Sequence, residues 1–293
     1  MKYLGWLLIL IFFTACEKAI NIQPLSQKPL LVVDGTIEDG KPPFIVLSTS
    51  LNYFSEIDPK ILIASNIKGA KVTLSDGAAA TQLKEYRQPL GGDFYLVYYS
   101  CDTTDLETAM FGQQGKTYTL QIEHNNEKYS SVTTIPVTAK TVDSVWWKPA
   151  PFTDDTSKVI VMAKLTDPIG YGNYIRYFTK VNGGRYLPGA LSVFDDQFTD
   201  GTTYDYPIDQ GIDRNDPPGE EDYGFFRRGD TIIAKLANID KATFDFWRTL
   251  EFSYQSVGNP FSSPVKVLSN VDNGALGAFC GYSIQYKKII IPK

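Results

Sequence analysis

The chain has 293 residues, 43% hydrophobic and 13% aromatic, with 28 basic against 33 acidic side chains and a formal charge of −5. That supplies apolar material for one or two globular domains and excludes long disorder, while the acidic balance counts against general nucleic-acid binding. A single histidine, His124, excludes zinc sites built on several histidines and would have to serve any Ser-His or Cys-His mechanism alone, and three cysteines exclude a disulfide-dense scaffold or a four-cysteine cluster.

Residues 1–16 read MKYLGWLLILIFFTAC. Lys2 makes a short positive start, and Tyr3 to Phe13 form an apolar run of signal-peptide length, too short to span a bilayer as a helix. Phe13-Thr14-Ala15-Cys16 resembles the lipobox of bacterial lipoproteins, with Phe where Leu is usual. The resemblance implies a signal peptide over 1–15, cleavage before Cys16, a diacylglycerol on the Cys16 thiol and a further acyl chain, such as palmitate, on its amine. Several chains anchor stably where one holds reversibly. The other reading is an ordinary signal peptide whose Cys16 ends in a disulfide. Residues 16–29 then make a lipidated, polar, proline-containing tether. Glu17, followed by Lys18, is a poor match to a surface-export signal, so the periplasmic and cell-surface faces of the outer membrane both stay open.

Short strands are expected at Leu30 to Ile37, Pro43 to Ser50, Ala70 to Ser75, Thr81 to Tyr86, Phe94 to Tyr99, Thr117 to Glu123 and Lys128 to Ile135. Asp39-Gly40, Asp76-Gly77 and His124-Asn125-Asn126 are the turn signals, which puts His124 at a hairpin tip. This spacing predicts an immunoglobulin-like β-sandwich over 30–136, as architecture only, since no Cys…Trp…Cys spacing accompanies it. Asn52 to Lys68 interrupts the pattern as an insertion. Pro136 to Lys140 has no strong periodicity and marks a domain boundary.

Residues 141–293 read as a second antiparallel β domain, a sandwich or a partly open barrel. Its strands are expected at Asp143 to Lys148, Lys158 to Leu165, Asn173 to Val181, Tyr186 to Phe194, Thr231 to Leu236 and Leu276 to Ile291, the last broken at Gly281. Trp146 and Trp147 are neighbours on the first of these. They must point to opposite faces, so one enters the core and the other meets solvent, the first domain or a ligand. One covering helix is expected, with Asp240 as its N-cap and Phe244, Trp247, Leu250 or Glu251, and Tyr254 at helical spacing.

The stretch 195–222 holds eight Asp, two Glu and one Arg, a net charge of about −9. Carboxylates this dense repel unless solvated, paired or bound to a cation. One reading is a long solvated acidic loop. The other is a calcium site on Asp209, Asp213, Asn215 and Asp216, whose spacing faintly matches oxygen-ligand loops although the EF-hand pattern is absent. Asn259, Pro260 and Phe261 open a segment whose prolines 260 and 264 remove two backbone donors, which suits a structural loop or a rigid part of a ligand or receptor surface. Cys101 and Cys280 are either free thiols or a long-range disulfide.

The NPFSSP segment at 259–264, the run SNVDNGALGAFCGYS at 269–283, the run LVVDGTIEDGKPP at 31–43, Leu51-Asn52-Tyr53-Phe54 and Cys16-Glu17-Lys18 together resemble the Bacteroidota "domain of unknown function 4249" lipoproteins across essentially the whole chain after cleavage. Cys280 stands where that pattern has glycine. The resemblance implies an outer-membrane lipoprotein, often encoded beside a TonB-dependent receptor, and carries no catalytic residue. No G-x-S-x-G, P-loop or G-x-G-x-x-G is present. The expected function is therefore a non-enzymatic, lipid-anchored envelope protein without a cofactor other than the calcium considered above. Its membrane contact runs through Cys16, and it binds a ligand for, or docks on, an outer-membrane β-barrel transporter. The alternatives are a structural or adhesive surface protein and a carboxylate-based hydrolase.

Overall fold

The computed structural model describes residues 28–51, 58–92, 94–105, 107–257, 263 and 265–293. Cys16 and Asn259-Pro260-Phe261 lie outside the described residues. The chain is all-β. It begins with β1 (Leu31–Glu38), β2 (Phe44–Thr49), the short helix α1 (Pro59–Ala64), β3 (Lys71–Ser75), β4 (Ala80–Gln82), β5 (Lys84–Gly91), β6 (Phe94–Ser100), β7 (Thr117–His124) and β8 (Glu127–Thr134). It continues with β9 (Thr141–Pro149), β10 (Lys158–Thr166), β11 (Tyr174–Val181), β12 (Leu187–Phe194), β13 (Thr203–Ile208), β14 (Phe226–Arg227), β15 (Thr231–Ile239), the helix α2 (Lys241–Ser256) and β16 (Leu276–Ile290). Among the described residues no helix is long and apolar enough to cross a membrane.

The alternation read from the sequence decides which side chains enter the cores. In β7, Tyr118, Leu120 and Ile122 are buried while Thr117 and Gln121 face out. They meet Val72 and Leu74 of β3, Leu47 of β2 and Phe279 of β16 in a first core, so that β5-β6-β2-β1-β16 forms one layer and β4-β3-β7-β8 the other. Asn125 and Asn126 take positive φ, 49° and 63°, and close the β7–β8 hairpin tightly where the turn was expected. A second core lies between β12-β11-β15-β16 and the sheet of β9, β10, β13 and β14, around Val161, Leu165, Ile175, Tyr177, Phe226 and Leu236.

The break expected at Gly281 does not occur. The strand β16 runs unbroken and changes partners instead: Leu276 to Tyr282 pair in parallel with Val32 to Glu38, and Ser283 to Ile290 pair antiparallel with Thr231 to Asn238. One eight-stranded sheet, β12-β11-β15-β16-β1-β2-β6-β5, therefore passes through both units. The other edge of the first half of β16 is satisfied by side chains. Phe279 N donates to Asn270 Oδ1 at 2.9 Å, Asn270 Nδ2 donates to Phe279 O at 2.7 Å, and Gly281 N donates to Thr133 Oγ1 at 2.8 Å. The glycine-rich C-terminal run is thus a strand edge whose backbone is paired by Asn and Thr side chains.

Helix α2 begins where expected. Asp240 Oδ1 accepts from Thr243 N at 2.8 Å, while Oδ2 accepts from Thr134 N at 2.7 Å and Thr133 Oγ1 at 2.9 Å, so one carboxylate caps the helix and ties it to β8. Phe244 and Glu251 face the sheet, and Tyr254, expected on that face, is exposed. The crossing segment, residues 135–140 between β8 and β9, is held by Asn238, which accepts from Lys140 N at 2.9 Å and donates to Lys140 O at 2.9 Å. Cys101 sits in the first core and Cys280 beneath α2, both buried and unpaired.

Three elements depart from the sequence reading. The strand expected at Thr81 to Tyr86 divides into β4 and β5, α1 was not foreseen, and β13 runs through the middle of the acidic stretch. That stretch is not one loop. Its charges meet bases from outside it: Asp195 with Arg248 at 3.3 Å, Asp205 with Lys164 at 3.3 Å, Asp222 with Arg227 at 2.6 Å, and Asp213 with Arg185.

Gly277 has φ +86°, and a Cβ there would collide with the Val33 carbonyl oxygen of β1, whereas Gly274 has φ +74° with open space around it. Gly277→Ala is expected to lower stability by roughly 3 kcal/mol or more, since backbone strain and overlap add. Gly274→Ala should cost about 1–2 kcal/mol, from the left-handed backbone alone. Urea unfolding midpoints of the two variants check the difference.

Candidate functional site

The second unit is closed on one side and open on the other. β12 ends the eight-stranded sheet and β13 ends the opposing sheet, so two edge strands face each other across a seam. The chain itself joins them through residues 195–202. Behind this seam lies a cavity of about 610 Å³ that reaches into the second core. Its walls are apolar and aromatic, with Leu165, Ile175, Tyr177, Phe194, Tyr204 and Tyr206 lining the interior. The alternation of β13, Tyr204 and Tyr206 against Thr203 and Asp205, turns both rings inward and leaves the carboxylate outside.

The seam stays open because β12 cannot take a further strand along its length. Ile212 N donates to Pro188 O at 2.9 Å, and Ser192 N donates to Glu251 Oε2 at 2.8 Å. Glu251, 1% exposed, also accepts the Ser192 hydroxyl through its other oxygen. Arg176 completes this network: its Nε donates to Ser192 Oγ at 3.0 Å and its guanidinium carbon lies 3.4 Å over the Trp247 ring. Helix α2 is thereby fixed beside the mouth by a buried carboxylate whose two oxygens are both satisfied.

Three large apolar side chains fringe the mouth. Leu191 is 50% exposed, Phe252 51% and Phe198 91%. Gln197, Gln255 and the Asp195–Arg248 pair supply polarity there. Burial pushes the Tyr206 hydroxyl up to about 12, with Asp209 and Tyr204 adding, and raises Tyr177 further still. Both phenols are neutral hydrogen-bonding groups at neutral pH. An apolar chamber with a few phenol hydroxyls and a narrow polar fringe suits a small apolar or amphiphilic ligand. The two carboxylates at its edge, Asp195 and Glu251, are both engaged by protein partners.

Beneath the mouth, Lys140 and Asp167 form an ion pair at 2.7 Å with both side chains 0% exposed. Thr199 joins it, donating to Asp167 Oδ2 at 2.8 Å and accepting from Lys140 Nζ at 3.2 Å. The crossing segment, the β10–β11 loop and the seam connection therefore converge on one buried charge pair.

The residues singled out in the sequence lie elsewhere. Trp147 packs against the second core with Arg228 at 4.8 Å over its ring, and Trp146 lies on the opposite face of β9 with Lys148 at 5.8 Å over its ring. The pair divides between two faces as strand geometry requires, and neither lines the cavity. Asp209, Asp213, Asn215 and Asp216 do not gather as a calcium cage. Asp213 is held by Arg185, and its Oδ1 accepts from Asn215 N at 3.0 Å. Among the described residues no three His, Cys, Asp or Glu side chains are grouped to hold a metal ion. Burial raises the Asp209 carboxyl above its ordinary value. The aromatic lining was missed because Tyr177, Phe194, Tyr204 and Tyr206 come from three separate strands, and the Tyr-x-Tyr alternation of β13 lay within a stretch dominated by charge.

A family model described as "Domain of unknown function (DUF4249)" matches residues 17–288. Neither a curated protein nor a solved structure matches the chain.

Removing one partner of the buried pair should be far worse than removing both. Lys140→Met is expected to lose about 3–5 kcal/mol of stability by leaving Asp167 charged and unpaired, and Lys140→Met with Asp167→Leu to recover most of it. Thermal or urea unfolding of the single and double variants checks this. A double variant no better than the single would mean that Asp167 carries a separate role.

Proposed function

The chain belongs to the domain of unknown function 4249 family, and from that premise we propose that it is a non-enzymatic, lipid-anchored protein of the outer membrane. It holds a small apolar or amphiphilic ligand in the seam cavity and serves an outer-membrane TonB-dependent transporter. The observation that carries the ligand is the aromatic chamber of about 610 Å³ behind an open seam, with exposed Leu191, Phe198 and Phe252 at its mouth. Apolar walls with few polar groups reward ligand burial at roughly 25 cal/mol per Å² and fix orientation by the phenols and the mouth amides. Support for the anchor comes from the Phe13-Thr14-Ala15-Cys16 sequence. Support for the transporter comes from the family resemblance.

Titration with 1-anilinonaphthalene-8-sulfonate is expected to saturate at one site per chain. Leu191→Trp and Phe252→Trp, which narrow the mouth at exposed positions, should weaken that binding by about tenfold, the effect of losing ~1.4 kcal/mol. Non-saturable binding, or binding indifferent to both variants, would remove the cavity from the proposal.

Cys16→Ser is expected to remove metabolically incorporated palmitate from the chain. A variant that still incorporates palmitate would disprove this anchor.

A further inference from the structure

Two loops beside the cavity mouth are built as one rigid knob. Asp196, 3% exposed, accepts from Gly172 N at 2.7 Å and Asn173 N at 2.8 Å. Asp200 accepts from Gly170 N at 2.6 Å, and Asp167 N donates to Thr202 O at 2.9 Å. The buried Lys140–Asp167–Thr199 cluster sits directly below. A knob so cross-braced would ordinarily turn apolar side chains inward. Instead it holds Ile169 at 90%, Tyr171 at 77% and Phe198 at 91% exposure, two of them larger aromatic rings.

We propose that Ile169, Tyr171 and Phe198 dip into the bilayer interface and seat the cavity mouth on the membrane. The proposal deepens the ligand reading above and rests on it for its purpose: the mouth, which Phe198 also lines, then opens on lipid, and the ligand is an amphiphile taken from that phase.

Several observations favour a lipid surface over a protein partner. The three side chains stand at loop tips, nearly free of neighbours, rather than in a flat packed patch with a rim. Aliphatic and phenolic side chains together suit the interfacial zone, where the ring is buried and the hydroxyl stays wet. The acids of the knob are spent internally, Asp196 and Asp200 on backbone N–H groups and Asp195 on Arg248. They leave little free charge to oppose approach. The chain enters the described body at Lys28, which is held to Glu127 at 2.5 Å. Eleven residues separate it from Cys16, a reach of at most about 40 Å. An anchored body therefore remains within contact distance of the bilayer.

The test uses the chain from Glu17 onward, which contains every described residue and lacks the anchor, so its outcome does not depend on Cys16. Flotation with phosphatidylcholine vesicles is expected to carry the parent chain. Ile169→Glu combined with Phe198→Glu should reduce the bound fraction ratio by about tenfold or more. Phe152→Glu, at an equally exposed aromatic on the β9–β10 turn (105%), should leave it unchanged. Phe198→Trp should shift its emission to the blue on adding vesicles. A parent chain that does not float, a double variant that floats equally, a Phe152→Glu loss of the same size, or an interaction only with a β-barrel protein would each overturn the proposal. Dye titration without vesicles separately reports the cavity, so a failed membrane contact and a failed ligand site give different patterns.

Discussion

The backbone hydrogen-bonding groups of β16 are divided between two neighbouring strands, β1 and β15, and a set of side chains, and that division holds the two halves of the molecule in one arrangement. Along Leu276 to Tyr282 the strand completes the first sandwich in parallel with β1, and along Ser283 to Ile290 it completes the second against β15. A strand with a period of two exposes opposite faces alternately, so the same strand sends Phe279 into the first core and Cys280 and Tyr282 beneath α2. Slippage by one residue would reverse all of these at once. Gly277 permits the close pass of β1, Asn270 pairs the Phe279 backbone, and Asp240 ties the helix start to β8. The seam, the helix beside it and the cavity mouth follow from where this strand places β15, β11 and β12.

The acidic stretch shows how charge density can mislead when read without partners. A local net charge of about −9 invites a cation, yet the remainder of the chain is slightly basic, and that excess is where the balance lies. Lys158, Lys164, Arg185, Arg227 and Arg248 reach the stretch from outside it. Other members, Asp196 and Asp200, accept from loop backbone instead. Exposed pairs of this kind contribute little stability each. Their effect here is to let a strongly acidic sequence form an edge strand and tight turns without mutual repulsion.

What could be read in advance follows from the range of each signal. Period-two alternation, turn residues and the Asp240 cap are local, so β1, β7, β8, the β7–β8 hairpin and α2 were legible. The partner exchange of β16 was not, because Gly281 in sequence looks like a breaker, and only the Thr134 backbone crossing over it explains why a side chain is absent there. The cavity was likewise hidden: Leu165, Ile175, Phe194 and Tyr204 come from separate strands, and any one of them alone reads as ordinary core. Asp167 and Lys140 look like surface residues in a polar turn and a boundary segment, and their burial is decided by residues far along the chain.

The parallel pairing of Val33 with Gly277 joins positions 244 apart in the sequence. Phe279 of the same strand lies in the first core. The leading sandwich therefore has a missing wall until residue 276 and beyond have been synthesised, whatever the strength of its hairpins. Closing so long a loop is entropically demanding and makes for slow, late consolidation. The first sandwich therefore takes its final packing only after its last long strand has paired with β1.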